Sequence, residues 1–311
     1  MIAVTGTTGE LGVRISERLE RLGIHQRLLV RNPEYASSIH NAEIAVIGSY
    51  GDFPGMRKAL EGIKTLFLVS ARDKMGIIIN ALEKNLPIPE YDRVQEHKTA
   101  VTAAAEAGVE RIVYLSFLNA SAEATFLFSR DHFHTEEFIR GSGIKYTFLR
   151  PNLYMDKVPL HIARSDVIRA PAGNGRVSWV SRDDIADVAA AVLTGTGHDG
   201  KTYDVTGPEA LTMQETADHL SAATGRKITY EAQTPEEVRL SRSSSRMEEF
   251  EERRRKLTGK GLTDYEVEAW ISHYYQIAKG EVSVVSNIVP VLCERPGETL
   301  SQFLEKYKEN L

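Results

Sequence analysis

Residues Met1 to Gly12, MIAVTGTTGELG, constrain this chain more than any other stretch. Ile2-Ala3-Val4 is a short apolar run of the kind that forms a buried parallel strand. Gly6, Gly9 and Gly12 follow in G-x-x-G-x-x-G spacing. Val13, Ile15, Leu19 and Leu22 then recur at helical spacing among Glu10, Arg14, Glu17, Arg18 and Glu20, which predicts an amphipathic helix. Strand, glycine turn and helix in direct succession are the setting of a dinucleotide-binding fingerprint. Gly6 suits the tight turn, Gly9 lets a pyrophosphate approach the backbone, and Gly12 lets the helix pack close to the strand. The helix start offers N–H groups and a positive dipole end to phosphates. A glycine-rich turn without a ligand has the same spacing; the readable strand and helix favour the fingerprint.

Further strands and helices alternate behind it. Gln26–Val30 reads as a second strand, ending at Arg31-Asn32-Pro33. Arg31 stands nineteen residues after Gly12, where such folds place the residue that selects the adenosine ribose. A guanidinium there suits a 2′-phosphate, so Arg31 and the adjoining Asn32 favour NADP over NAD. Arginine also ends strands as a solvated charge. Ile44–Ile47 is the third strand, and Gly51-Asp52 a turn bordering the adenine. A short helix is expected from Pro54 to Leu60, and a fourth strand at Thr65–Val69 with Ser70-Ala71-Arg72 at its carboxyl end. From Asp73 to Tyr91 the pattern is broken by Pro87 and Pro89, as in a flap or surface insertion. A helix from Asp92 to Ala107, a strand at Arg111–Leu115, a helix from Ser129 to Arg140 and a strand at Lys145–Leu149 complete six units. That rhythm predicts an α/β fold with a Rossmann-type, doubly wound parallel sheet.

Past Asn152 the pattern changes. Val177–Val180 and Thr202–Val205 read as strands, with a helix capped at Ser181 between them. Thr212-x-x-Glu215, Thr234-x-x-Glu237, Thr263-x-x-Glu266 and Thr299-x-x-Gln302 each match a capping box. They predict a smaller, mostly helical C-terminal lobe. The expected division is a dinucleotide-binding domain over residues 1–155, rejoined by 176–205, and a substrate lobe from 156–175 and 206–311. The charged run from Ser241 to Lys256 reads as a solvated helix face laced with ion pairs.

Composition closes off other classes. A net charge of −5 with both signs interspersed leaves no basic stripe for nucleic acid and no polybasic membrane anchor. No apolar run reaches the roughly 20 residues of a membrane helix. A strand beginning at Ile2 leaves no room for a removable leader. Cys293 is the only cysteine, so no intrachain disulfide forms. The expectation is a soluble cytoplasmic protein, monomer or homodimer, acting on a small molecule and holding no metal.

TGTTGELG, VRNP, RDHFHTEEFIRGSGIKYTFLRPNLYMD, and PAGNGRVSWVSRDDIADVAAAVL paired with GKTYDVTGPEALTMQE together resemble the NmrA-like branch of the atypical short-chain dehydrogenase/reductases. Within that branch the chain is most similar to type-2 quinone oxidoreductases and triphenylmethane reductase, over essentially its whole length. The resemblance implies that Gly6, Thr7, Thr8, Gly9, Glu10 and Leu11 form the phosphate loop and that Arg31 binds the 2′-phosphate. It places Ser70 and Ala71 beside the ribose. Tyr114, Ser116 and Phe117 would lie near the nicotinamide, flanked by Pro151, Asn152 and Leu153. Short-chain dehydrogenases ordinarily carry Tyr-x-x-x-Lys on the helix after the fifth strand. Here Phe128 replaces the tyrosine and His132 the lysine. Phenylalanine cannot donate a proton, which disfavours alcohol oxidation and sugar-nucleotide epimerisation. His132 would position the ribose and nicotinamide, or be an ordinary helix histidine.

Two functions follow from the resemblance. One is an NADPH-dependent reductase of a quinone-like or other conjugated acceptor, which needs little help from a general acid. Its pocket would be walled by Phe117, Phe126, Phe128, Tyr154, Met155 and Trp179, each of which would also serve as core. The other is a non-catalytic NADP(H)-binding redox sensor.

Overall fold

The computed structural model describes residues 1–35, 39–40, 42–71, 92–162, 165–244 and 247–310. Strands β1 (Ile2–Val4), β2 (Gln26–Val30), β3 (Ala42–Val46), β4 (Thr65–Val69), β5 (Arg111–Leu115) and β6 (Lys145–Pro151) alternate with helices α1 (Glu10–Arg21), α2 (Phe53–Ala59), α3 (Arg93–Glu106) and α4 (Leu127–Gly141). Farther on come β7 (Val167–Ala170), β8 (Arg176–Val177), α5 (Arg182–Thr194) and β9 (Lys201–Val205). Seven of these strands form one parallel sheet in the order β3-β2-β1-β4-β5-β6-β9. The order reverses between β1 and β4, and such a reversal opens a crevice at the strands' carboxyl ends. Gly6 follows β1 and Ser70 follows β4, so both border it. The fold is therefore the Rossmann-type doubly wound sheet that the alternation predicted.

Period-two alternation gives the sheet two apolar faces. Leu66, Leu68, Ile112, Tyr114 and Phe148 pack with residues of α2, α3 and α4, while Val4, Leu28, Phe67, Val113, Leu149 and Val205 pack with those of α1 and α5. The remaining elements are β10 (Leu211–Thr212), α6 (Met213–Thr224), β11 (Thr229–Ala232), α7 (Pro235–Ser241), α8 (Met247–Thr258), α9 (Asp264–Ala278), α10 (Ile288–Cys293) and α11 (Leu300–Lys306). All four expected capping boxes form, at the starts of α6, α7, α9 and α11. On α8, Glu251 pairs with Arg255 and Glu252 with Lys256, one turn apart, while Met247 is buried.

Local reading misplaced some boundaries. The strand expected over 177–180 stops at Val177: Ser178 N–H turns to the Val282 carbonyl, and the Trp179 indole donates to Thr216 at 3.1 Å. Residues 167–170, where the sequence predicts no strand, pair in parallel with 229–232, a partner that no local pattern announces. The flap expected from Asp73 to Tyr91, with Arg72, lies outside the described residues.

Candidate cofactor and acceptor site

At the crevice, Gly6 adopts φ +67°, the left-handed turn that glycine takes without strain. Its carbonyl accepts the Gly9 N–H at 2.9 Å and closes the loop. A Cβ on Gly12 would overlap the Gly6 carbonyl and come within 2.9 Å of Thr7 N, so close helix-to-loop packing demands glycine. A Cβ on Gly9 would meet only the Gly6 oxygen, at 3.3 Å. Gly9 is exposed and is the N-cap of α1, where no side chain caps the first-turn amides. The Thr7 hydroxyl is buried and has no hydrogen-bond partner. Open backbone donors, an unfilled face at Gly9 and an orphaned hydroxyl fit the pyrophosphate of a dinucleotide. Thr8 and Glu10 are exposed on the loop and Leu11 is buried beneath it. Arg31 is exposed at the end of β2, with no ion pair to it among the described residues.

Other expected contacts are engaged within the protein. Asp52 caps α2, accepting Gly55 N–H at 3.1 Å and Gly48 N–H at 3.0 Å, so its carboxylate serves the turn. Asn32 accepts the Glu34 N–H at 3.0 Å in a local turn. The Ser116 hydroxyl donates to buried Glu136 at 2.6 Å. Asn152 donates to Ser178 and to the Val282 carbonyl, and accepts Leu153 N–H, tying the end of β6 to the C-terminal lobe. Pro151 and Leu153 are buried beside it. The backbone N–H groups of Ser116 and Asn152 are engaged as well, Ser116 with the Leu149 carbonyl at 2.8 Å and Asn152 with that of Val205 at 3.0 Å.

A network that the motifs did not announce lies beyond β4 and β5. Arg93 and His97, one turn apart on α3, face α4. The Arg93 Nε donates to the Ala71 carbonyl at 2.9 Å, and one terminal nitrogen donates to His132 Nε2 at 3.1 Å. Arginine only donates, so His132 Nε2 is the acceptor and its Nδ1–H donates to the Tyr114 hydroxyl at 2.9 Å. Ala71 N–H donates to His97 Nε2 at 2.8 Å, which leaves His97 Nδ1–H to donate to Thr135 at 2.8 Å. Burial, with Arg93 nearby, holds both imidazoles well below the ordinary histidine pKa. Burial likewise raises the Tyr114 hydroxyl, which stays protonated. Tyr114, expected beside the nicotinamide, is fully buried, with its hydroxyl between His132 and His97.

Both histidines are neutral in the fold and titrate normally when unfolded, so the unfolded chain binds more protons below about pH 6.5. Stability is therefore expected to fall as pH drops from about 6.5 to 5, with a limiting slope of roughly 1.4 kcal/mol per pH unit for each histidine. Urea unfolding at a series of pH values, compared with a His97→Asn variant, checks this; an unchanged slope in the variant would contradict it.

Phe117 stacks on His132 (ring centroids 6.2 Å apart) and meets Phe126 edge-on at 5.5 Å; Phe126 continues to Phe128 and His273. Phe117, Phe126 and Tyr154 are half-buried. Phe128 is 7% exposed, packed on Val238, Met247 and Val267 of the helical lobe. Met155 and Trp179, expected as walls, are 0% and 2% exposed in the core of that lobe, and so present no surface to a ligand. Glu281, after α9, accepts from Asn119 Nδ2 and Thr125 N and anchors the loop between Phe117 and Phe126.

The NAD(P)H-binding family model matches residues 6–196. The chain is 36% identical over 236 residues to a (4-alkanoyl-5-oxo-2,5-dihydrofuran-3-yl)methyl phosphate reductase from Streptomyces griseus, covering 74% of this chain and 76% of that protein. It is 32% identical over 238 residues to quinone oxidoreductase 2 of Escherichia coli, covering 74% and 77%. The structure of the Escherichia coli NADPH-dependent quinone oxidoreductase bound to NADPH superposes with a TM-score of 0.79 at 26% identity, over 98% of this chain and 99% of that one.

Proposed function

The chain belongs to the NAD(P)H-binding family, and from that membership we propose that it is an NADPH-dependent reductase of a quinone-like or otherwise conjugated acceptor. One observation carries the reading: the nucleotide loop is intact, while Phe128 and a neutral His132 stand where a proton-donating Tyr–Lys pair would act. A bound reduced nicotinamide supplies a hydride. The loop's backbone donors hold the phosphates, and Arg31 reaches the 2′-phosphate. With both ring nitrogens engaged by Arg93 and Tyr114, His132 has no hydrogen bond to offer the nicotinamide ribose it was expected to position, and it supports Phe117 through their stacked rings instead. Phe117 and Phe126, with Tyr154, give a flat acceptor an apolar surface. Such an acceptor delocalises the incoming charge and needs no general acid. The relatives named for reduction of a quinone and of a furanone phosphate support this acceptor class. The lone cysteine accords with a cytoplasmic site of action.

The test is loss of nicotinamide absorbance when purified protein meets NADPH and a panel of quinones. Turnover supports the reductase. Cofactor binding without turnover of any acceptor would favour a redox sensor. Arg31→Ala is expected to weaken NADP binding by about 1.5–3 kcal/mol through lost charged hydrogen bonds, while NAD binding barely changes. Calorimetry with each nucleotide decides; equal losses would remove Arg31 as the selector.

A further inference from the structure

Arg93 is 8% exposed, and two of its three guanidinium nitrogens are committed, to the Ala71 carbonyl and to His132. The third, Nη1, is buried without a hydrogen-bond partner among the described residues; the Asp131 carboxylate pairs with it at 3.8 Å, outside hydrogen-bonding range. A buried charged donor without an acceptor is costly, and no described residue supplies that acceptor.

We infer that Arg93 holds the acceptor oxygen on which negative charge gathers during reduction, so that a guanidinium on α3 replaces the cation that short-chain dehydrogenases carry on the helix equivalent to α4. This rests on the reductase reading. The residue matching that cation is His132, which burial holds neutral. Arg93 bonds the Nε2 edge of His132, and the half-buried Phe117 stacks on the face of the same ring, so guanidinium and aromatic wall meet at one histidine. His132 is itself fixed by Tyr114, which leaves the guanidinium with little freedom to turn away. In the reaction the C–H bond of the donor nicotinamide breaks, and its hydrogen and electron pair pass to the acceptor. The acceptor becomes an anion, paired with Arg93 until one proton from solvent neutralises it. A fixed cation in a water-poor site favours that anion over the neutral acceptor, which is the differential binding that raises kcat.

The probe is 4-nitrophenol, a flat aromatic whose anion is coloured. Wild-type protein, with and without NADP, is expected to bind the phenolate in preference to the phenol and to lower the probe's apparent pKa by at least about one unit, a tenfold preference. Arg93→Met should abolish that preference and lower kcat for quinone reduction by about a hundredfold, with NADPH affinity changed less than threefold. Arg93→Lys, which keeps the charge, should retain part of the preference. If the methionine variant does not fold, Arg93→Gln compared with Arg93→Lys is read in the same way. An unchanged phenolate preference in the uncharged variant overturns the inference, as does a drop of more than tenfold in NADPH affinity, which would assign the guanidinium to the cofactor. If the wild type takes up no NADPH, the reductase reading fails, while phenolate binding to the free protein still judges Arg93.

Discussion

Gly9→Val is expected to leave the protein folded and to weaken dinucleotide binding by at least about a hundredfold, a loss of roughly 2.7 kcal/mol or more. Gly9 has an extended backbone, φ −99°, which valine adopts freely, and its missing Cβ faces little besides the Gly6 oxygen. The valine side chain would stand over the uncapped first turn of α1, where phosphate oxygens must come within hydrogen-bond distance of N–H groups. Gly12→Val makes the contrast. Its Cβ would lie 2.6 Å from the Gly6 carbonyl carbon, backbone that cannot move without displacing α1 from the sheet, so this variant is expected to lose its fold along with its ligand. Calorimetry with NADPH and thermal melting, run on both variants, separate the two cases. Retained nucleotide affinity in a folded Gly9→Val protein would reject the loop as the binding site.

The second large effect is on stability. Glu136→Leu is expected to cost about 3–5 kcal/mol and to lower Tm by roughly 6–15 °C. The Glu136 side chain is 0% exposed. It accepts from Arg150 through both oxygens, at 2.8 and 2.6 Å, from Arg140 at 3.1 Å and from Ser116 at 2.6 Å. Removing the carboxylate strands the Arg150 guanidinium at the carboxyl end of β6. Adding Arg150→Met should recover part of the loss, because the uncompensated charge goes with it. A change below about 1 kcal/mol in Glu136→Leu would show that the cluster is already open to water.

The glycine loop of the candidate site could be read from the chain because its parts are consecutive: Gly6, Gly9 and Gly12 fall within one turn and the helix it opens. Arg93 and His97 escaped notice for the opposite reason. Beside Asp92 at a helix start, Arg93 looks like a solvated charge. One signal was present: with Ala100, Val101 and Ala104 both fall on the buried stripe of α3, and a cation in the first turn opposes the helix dipole. Met155 and Trp179 show the converse. Their residue types suit a pocket wall, yet they fill the interior of the helical lobe, because type and spacing do not say which apolar surface a neighbour will cover.

By itself the sequence determined whatever is set by nearest neighbours along the chain: the strand–helix alternation, the glycine loop, the helix caps at Thr212, Thr234, Thr263 and Thr299, and hence the fold. The tertiary structure alone decided which polar groups meet. It gave His132 a fixed tautomer, took the Ser116 and Asn152 side chains for internal bonds, and left one guanidinium nitrogen of Arg93 without an acceptor among the described residues. Backbone hydrogen bonding and amphipathic periodicity are local and leave a record in residue order. The protonation and partners of a buried side chain depend on groups from distant segments, which come together only when the sheet and its helices have packed.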